Sequence, residues 1–283
     1  MTSQLKTVFL LAALSAIIIF LGGMIGGRMG IIIAFGFAIL MNVGSYWYSD
    51  RIVLSMYRAR ELGPDESPFL HEIVSDLARN AGIPKPRIFV VPEQAPNAFA
   101  TGRDPEHSVV AVTDGILRLL SPQELRGVVA HEVGHIVNRD ILIQTVAGVM
   151  ASAIVTLANM LQFSAIFGGN RENGSSGISA IFLALLAPVA AGLIQMAISR
   201  SREYLADATG ARLCGQPLAL AGALYKLAAA SGQTPLAHGN PSTAEIFIVT
   251  PLFARDGGIA RLFSTHPPIE ERISRLRELA ASR

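Results

Sequence analysis

Four long stretches without a charged residue set what this chain can become: Thr7–Gly27, Met29–Ser49, Ile141–Asn170 and Asn173–Ser199. Each reaches the roughly 20 residues that a helix needs to cross a bilayer. A buried helix of a soluble protein passes the same length test, but four of them in 283 residues favour a membrane protein. Composition agrees, since 16% of residues are charged where a soluble domain carries roughly a quarter. Lys6 ahead of the first stretch resembles the start of a signal sequence. No small-residue cleavage site leads into a polar segment there, and a second apolar stretch follows at once, so Val8–Ile25 reads as a retained helix.

Lys and Arg placement predicts the orientation. The short connections carry Arg28 and the Arg171/Glu172 pair, whereas Lys6, Arg51, Arg58, Arg60, Arg126, Arg139, Arg200 and Arg202 flank the other ends. The richer set belongs in the cytoplasm, which places both termini there. The chain then divides into a transmembrane hairpin (7–49), a cytoplasmic part (50–140), a second hairpin (141–199) and a second cytoplasmic part (200–283). The expected fold is a mainly α membrane protein with four transmembrane helices and a cytoplasmic α+β domain containing a small β-sheet.

Within the first cytoplasmic part, Ser67–Ala81 has helical spacing of apolar residues and is stopped by Gly82 and Pro84. Arg87–Val91 and Ser108–Thr113 read as strands, the second closed by Asp114-Gly115, and Asn97–Gly102 reads as an extended edge. Ser121-Pro122-Gln123-Glu124 is a capping-box helix start. In the second part, helices are expected through Glu203 and Asp207 to Gly210, over Leu218–Ala230 and over Pro268–Leu279. Residues 231–258 read as a long irregular segment.

His131-Glu132-Val133-Gly134-His135 lies on the helix that begins at Ser121. Residues four apart share a helix face, so both imidazoles can reach one metal ion. Glu132 is placed one step round the helix, within reach of a water activated by that ion. A hydrolytic zinc site needs a third protein ligand, to come from His71, His107, His238, His266 or a carboxylate. Glu203 is the best placed: if the second hairpin is antiparallel, its ends return together and bring Glu203 beside His135. Asp207 shares a face with Glu203 and can accept the second ring N–H of a ligand histidine. The alternative is that both carboxylates only pair with Arg200 or Arg202.

The His131–His135 segment, the Glu203-Tyr204-Leu205-Ala206-Asp207 run and Asn97–Gly102 resemble the HtpX-type membrane zinc metalloproteases, relatives of the prenyl-protein (CAAX) endoproteases. The resemblance implies a zincin-like catalytic domain, one Zn2+ held by His131, His135 and Glu203, and Glu132 as the catalytic base. It also implies that His266 and Arg272 face the zinc site, where His266 would stabilise the oxyanion. A bacterial inner-membrane location, with the site on the cytoplasmic face, and a stress-related quality-control role follow from it. The substrates would be misfolded or membrane proteins. An extended substrate is expected to add along Asn97, Ala98, Phe99 and Ala100 as a strand, which suits broad specificity.

Other functions are less well supported. No basic aromatic groove suggests nucleic acid. Cys214 is the only cysteine, which excludes an intramolecular disulfide and a thiolate cluster. The apolar stretches hold no Asp, Glu, Lys, Arg or His for a transport relay. A non-catalytic zinc scaffold or sensor would not need Glu132 beside an open position. A dedicated prenyl-protein protease would need more spans. Asn138-Arg139-Asp140 is expected to cap the helix or to pair with Arg200 or Arg202. Partner proteases and oligomeric state are not legible.

Overall fold

The computed structural model describes residues 3–150, 152, 200–231, 233, 236, 246–249 and 267–282. The first two apolar stretches form one long helix, α1 (Ser3–Met56), broken at Gly27 with φ 55° and ψ −137°. That positive φ is one glycine adopts at little cost. The two halves fold back on each other, since Asn42 Nδ2 donates to Ser15 Oγ at 2.7 Å and Gly22 faces Gly30 and Ala34. Gly26–Met56 is 31 residues long and contains an 18-residue window of mean hydropathy 1.8, long and apolar enough to cross a membrane. Along it Ile32, Ile33, Phe35 and Leu40 are exposed, whereas Val53 and Leu54, and Tyr57 just beyond it, are buried in the polar part of the protein. Near that lower end Arg51 lies over Tyr48 and Arg103 over Trp47, the kind of aromatic and basic belt found at a membrane–water interface. Helix α5 (Ile141–Met150) opens the third expected span. Apart from Ser152, the remainder of that span and the whole of the fourth lie outside the described residues.

The polar sequence builds a four-stranded mixed sheet from β1 (Arg60–Glu61), β2 (Arg87–Val91), β3 (Ala98–Gly102) and β4 (Ser108–Thr113), in the order β1-β2-β4-β3. Strand β2 runs parallel to β4, with Phe89 opposite Ala111. Strand β3 runs antiparallel to β4, with Ala98 opposite Val112 and Ala100 opposite Val110, and forms an edge. Alternation splits the side chains between two cores. Ile88, Val90, Ala98, Ala100, Val110 and Val112 pack toward the helices. Phe89, Val91, Phe99, Val109 and Ala111 pack with Val53, Leu54, Tyr57 and Phe247. Burial on both faces is why these strands are short apolar runs and not alternating ones.

Helix α2 (Pro68–Ala81) starts on a proline and ends at Gly82 in the left-handed conformation, as the sequence spacing requires. Asp114-Gly115 is not a turn: Thr113 caps a short helix, α3 (Asp114–Leu119), by accepting from the Ile116 N–H. Helix α4 (Pro122–Val137) carries the complete Ser121/Glu124 capping box. Helices α6 (Arg200–Cys214) and α7 (Pro217–Ser231) both pack on α4, and α8 (Ile269–Ala281) packs on α7. The two polar parts of the chain, far apart in sequence, therefore share one core.

Candidate metal centre

Helix α4 does not run on into α5. Its carbonyls close through Arg139 N–H to Ile136 O and Asp140 N–H to His135 O, at 3.1 and 3.2 Å. Before that closure His131, Glu132 and His135 are all buried. His131 Nε2 and His135 Nε2 lie 3.1 Å apart. Glu203, from the first turn of α6, lies 3.8 Å from His131 Nε2 and 3.5 Å from His135 Nε2. One donor atom from each of the three falls within 4.8 Å of the others.

The residues fit a zinc ion. Two ligands at about 2.0–2.1 Å from a tetrahedral centre stand roughly 3.3–3.4 Å apart, and the observed 3.1, 3.5 and 3.8 Å bracket that spacing. Both imidazoles are held at the other nitrogen. Asp207 Oδ1 is 2.9 Å from His131 Nδ1, and Asp140 Oδ1 is 3.1 Å from His135 Nδ1. A carboxylate accepting Nδ1–H leaves the Nε2 lone pair for the metal.

The field of the site sorts its groups. Burial pushes the Glu132 carboxyl up to about 8, with Glu203 adding and His135 and Arg272 opposing. Burial also holds His131 below its usual value despite the Asp207 contact. At His135 burial acts downward, but Asp140, Glu203 and Glu132 outweigh it and lift the ring to about 10. Burial acts upward on Asp207, yet Arg272 and His131 hold it down to about 2. Glu132 Oε1 is buried without a hydrogen-bond partner among the described residues, and the main chain of Ala100 on β3 acts downward on the carboxyl.

Of the other expected site residues, Arg272 on α8 comes to the centre but not as a free cation. It is buried, its Nε and Nη2 each donate to Asp207 at 2.8 Å, and Nη1 donates to Ile248 O at 3.0 Å. Glu203 lies 3.6 Å away. The geometry is that of a residue that braces Asp207. His266 and His238 lie outside the described residues. His71 contacts Leu62 O, and His107 contacts Asp104.

The Asn97–Ala100 expectation needs correction in two places. Asn97 O accepts from Thr113 N–H on the β4 side, so by alternation the main chain of Ala98 and Ala100 faces the open edge. The Phe99 side chain, expected to contact substrate, is instead buried on the far face of the sheet, with its ring 5.1 Å from Phe247 and 5.9 Å from Tyr57. Asn97 is also buried, and its Nδ2 donates to Val249 O at 2.7 Å. Ile248 N–H donates to Ala98 O at 3.1 Å, so residues 246–249 lie along the start of this edge. Asp140 was missed as a partner of His135. Its signal is a carboxylate five residues beyond the second histidine, where a helix-closing turn brings it back.

Comparison with known proteins places this arrangement among relatives. The model of peptidase family M48 matches residues 64–280. The chain is 54% identical to a protease HtpX homolog of Syntrophobacter fumaroxidans, over 99% of this chain and 100% of that one. It is 57% identical to a protease HtpX homolog of Persephonella marina, over 98% and 97%. Among solved structures, S. mikatae Ste24p is matched at TM-score 0.49 and 21% identity, over 96% of this chain and 65% of that one.

Proposed function

The chain belongs to peptidase family M48 and is a metallopeptidase of the HtpX type, and on that premise we propose that it is a zinc endopeptidase working at the cytoplasmic face of a bacterial inner membrane. The observation that carries the reading is the buried meeting of His131, His135 and Glu203, with Glu132 buried beside them on α4.

His131, His135 and Glu203 would hold one zinc per chain. Bound there, zinc supplies a Lewis acid that makes water a nucleophile near neutral pH and polarises a carbonyl. Glu132 takes a proton from the attacking water and delivers it to the leaving amine as the C–N bond breaks. Arg272 holds Asp207 in place, and Asp207 holds His131. His266 is kept as the proposed oxyanion partner on the strength of the family resemblance alone.

An extended polypeptide would add along the outward main chain of Ala98 and Ala100, with Asn97 at the start of the edge. The Ile248–Ala98 bond supports this, since that edge already accepts a main-chain N–H from another part of the chain. Main-chain recognition asks little of the side chains, in keeping with misfolded or membrane proteins as substrates. Membrane attachment is supported by the α1 hairpin. We extend this to four spans, with hairpins at 7–49 and 141–199, catalytic parts at 50–140 and 200–283, and both termini in the cytoplasm.

The test is cleavage of an unfolded protein by detergent-purified chain with zinc, beside Glu132→Gln. Cleavage by the parent alone is expected. Equal cleavage by both would remove Glu132 from the mechanism, and cleavage that survives full zinc removal would remove the metal.

A further inference from the structure

Asp140 stands in an unusual place for a buried carboxylate. It is fully buried, it directly precedes the apolar helix α5, and its Oδ2 has no hydrogen-bond partner among the described residues. Burying such a group costs several kcal/mol unless it is paired. An acidic residue ahead of a helix ordinarily caps the first N–H groups, but the side-chain bond made here runs backwards, from Oδ1 to His135 Nδ1 at 3.1 Å. The Arg202 cation lies within electrostatic reach.

The backbone explains how the carboxylate arrives there. Arg139 adopts the left-handed conformation, with φ 56°. The Arg139-to-Ile136 and Asp140-to-His135 main-chain bonds are the paired bonds of a Schellman closure, in which the left-handed position usually belongs to glycine. Asp140 thus grips His135 twice, by main chain at the carbonyl and by side chain at the ring.

We infer that Asp140 is a positioning residue of the metal centre. It accepts the Nδ1–H of His135 and fixes the tautomer that turns the Nε2 lone pair toward His131 Nε2 and Glu203. It does for His135 what Asp207 does for His131, from a different element. Because Ile141 follows at once, the orientation of one ligand is tied to the root of an apolar helix. The inference rests on the reading of His135 as a metal ligand.

The experiment is zinc affinity by chelator competition on the detergent-purified full chain, with thermal unfolding of the metal-free form alongside. Asp140→Leu is expected to fold, since an apolar side chain suits this site, and to bind zinc about 10–100-fold more weakly. Asp140→Asn retains an acceptor oxygen and is expected to recover most of that loss. Arg139→Gly, which accommodates the positive φ, is expected to keep parental affinity. Asp140→Leu binding zinc within about twofold of the parent would overturn the inference. Equal losses in the Asn and Leu variants would overturn it too. His135→Ala is the control: if it also binds zinc normally, the ligand reading has failed and not the role of Asp140.

Discussion

Gly210 lies flat against the main chain of His131. A Cβ built on Gly210 would stand 2.8 Å from His131 N and 2.9 Å from its Cα. The reciprocal contact joins Gly134 to Ala206, where a Cβ would meet the Ala206 carbonyl oxygen at 2.9 Å. Two missing side chains thus set the separation of α4 and α6. Glu203 and Asp207 occupy the face of α6 that leads to Gly210, so their reach to both imidazoles depends on that separation.

Gly210→Ala should therefore be harmful for a steric reason. In a helix interior alanine is favoured over glycine by roughly 1 kcal/mol, so propensity alone predicts a more stable protein. Overpacking costs typically about 1–3 kcal/mol, and the obstructing atoms are backbone, which cannot rotate away. The expected outcome is lower thermal stability together with weaker zinc binding. A variant more stable than its parent, with parental zinc affinity, would show that the helices can part without cost.

Arg272 separates charge from geometry. Its fork is bonded to Asp207 at both oxygens and to Ile248 O. Removing one partner of such a buried pair costs about 3–5 kcal/mol, mostly from the charge left behind. Arg272→Ala should lose stability on that scale by denaturant unfolding. Arg272→Lys keeps the charge without the fork and should fall between the two. A Lys variant that matches the parent in unfolding and in zinc affinity would rule out a bracing role for the fork.

The sequence made α2, α4, the two longer central strands and the α7 region legible because each carries its own local signal: a periodic apolar face, a capping box or a β-branched run. Glu203 was reachable because the sequence offers two apolar stretches of similar length, whose outer ends are expected to return together. The environment of Phe99 was not legible. In Asn97–Gly102 a phenylalanine reads as a substrate contact, and only the register with β4 puts it on the face shared with Tyr57 and Phe247. The role of Asp140 was hidden for a different reason: the turn that returns it to His135 uses an arginine at φ 56°, with no glycine to announce it. The short helix α3 was hidden likewise, because Asp114-Gly115 has the composition of a turn.

Asn97 gives a local test of how residues 246–249 are held. Its Nδ2 donates to Val249 O, and its Oδ1 lies 3.5 Å from Val249 N. Asn97→Asp removes the donor, leaving a buried carbonyl unpaired at a cost of about 1–3 kcal/mol. The neighbouring Ile248–Ala98 bond should open more often. Faster amide hydrogen exchange at Ile248, with exchange in β4 unchanged, is the expected pattern. Unchanged exchange at Ile248 would mean that Phe247, wedged 5.0 Å from Tyr57 and 5.1 Å from Phe99, holds the segment without help from Asn97.

Glu124 links the start of α4 to α7 and carries a pH dependence of definite sign. Its Oε2 accepts from Ser121 N and Ser121 Oγ at 2.8 Å and from Lys226 Nζ at 2.7 Å. Burial acts to raise this carboxyl, but Lys226 and Ser121 outweigh it and bring it below the ordinary 4.5. A depressed folded-state value means that the stabilisation is fully present above the unfolded-state value and is lost as pH falls through the folded one. Glu124→Gln keeps a side chain that can complete a capping box but removes the charge. At neutral pH it should cost about 0.5–1 kcal/mol, the scale of a partly exposed charged contact. As pH falls through the folded-state value, below 4.5, the parent loses its advantage and the two unfolding curves should converge. A gap that persists unchanged into acid would assign the contribution of Glu124 to packing against α7 and not to its charge.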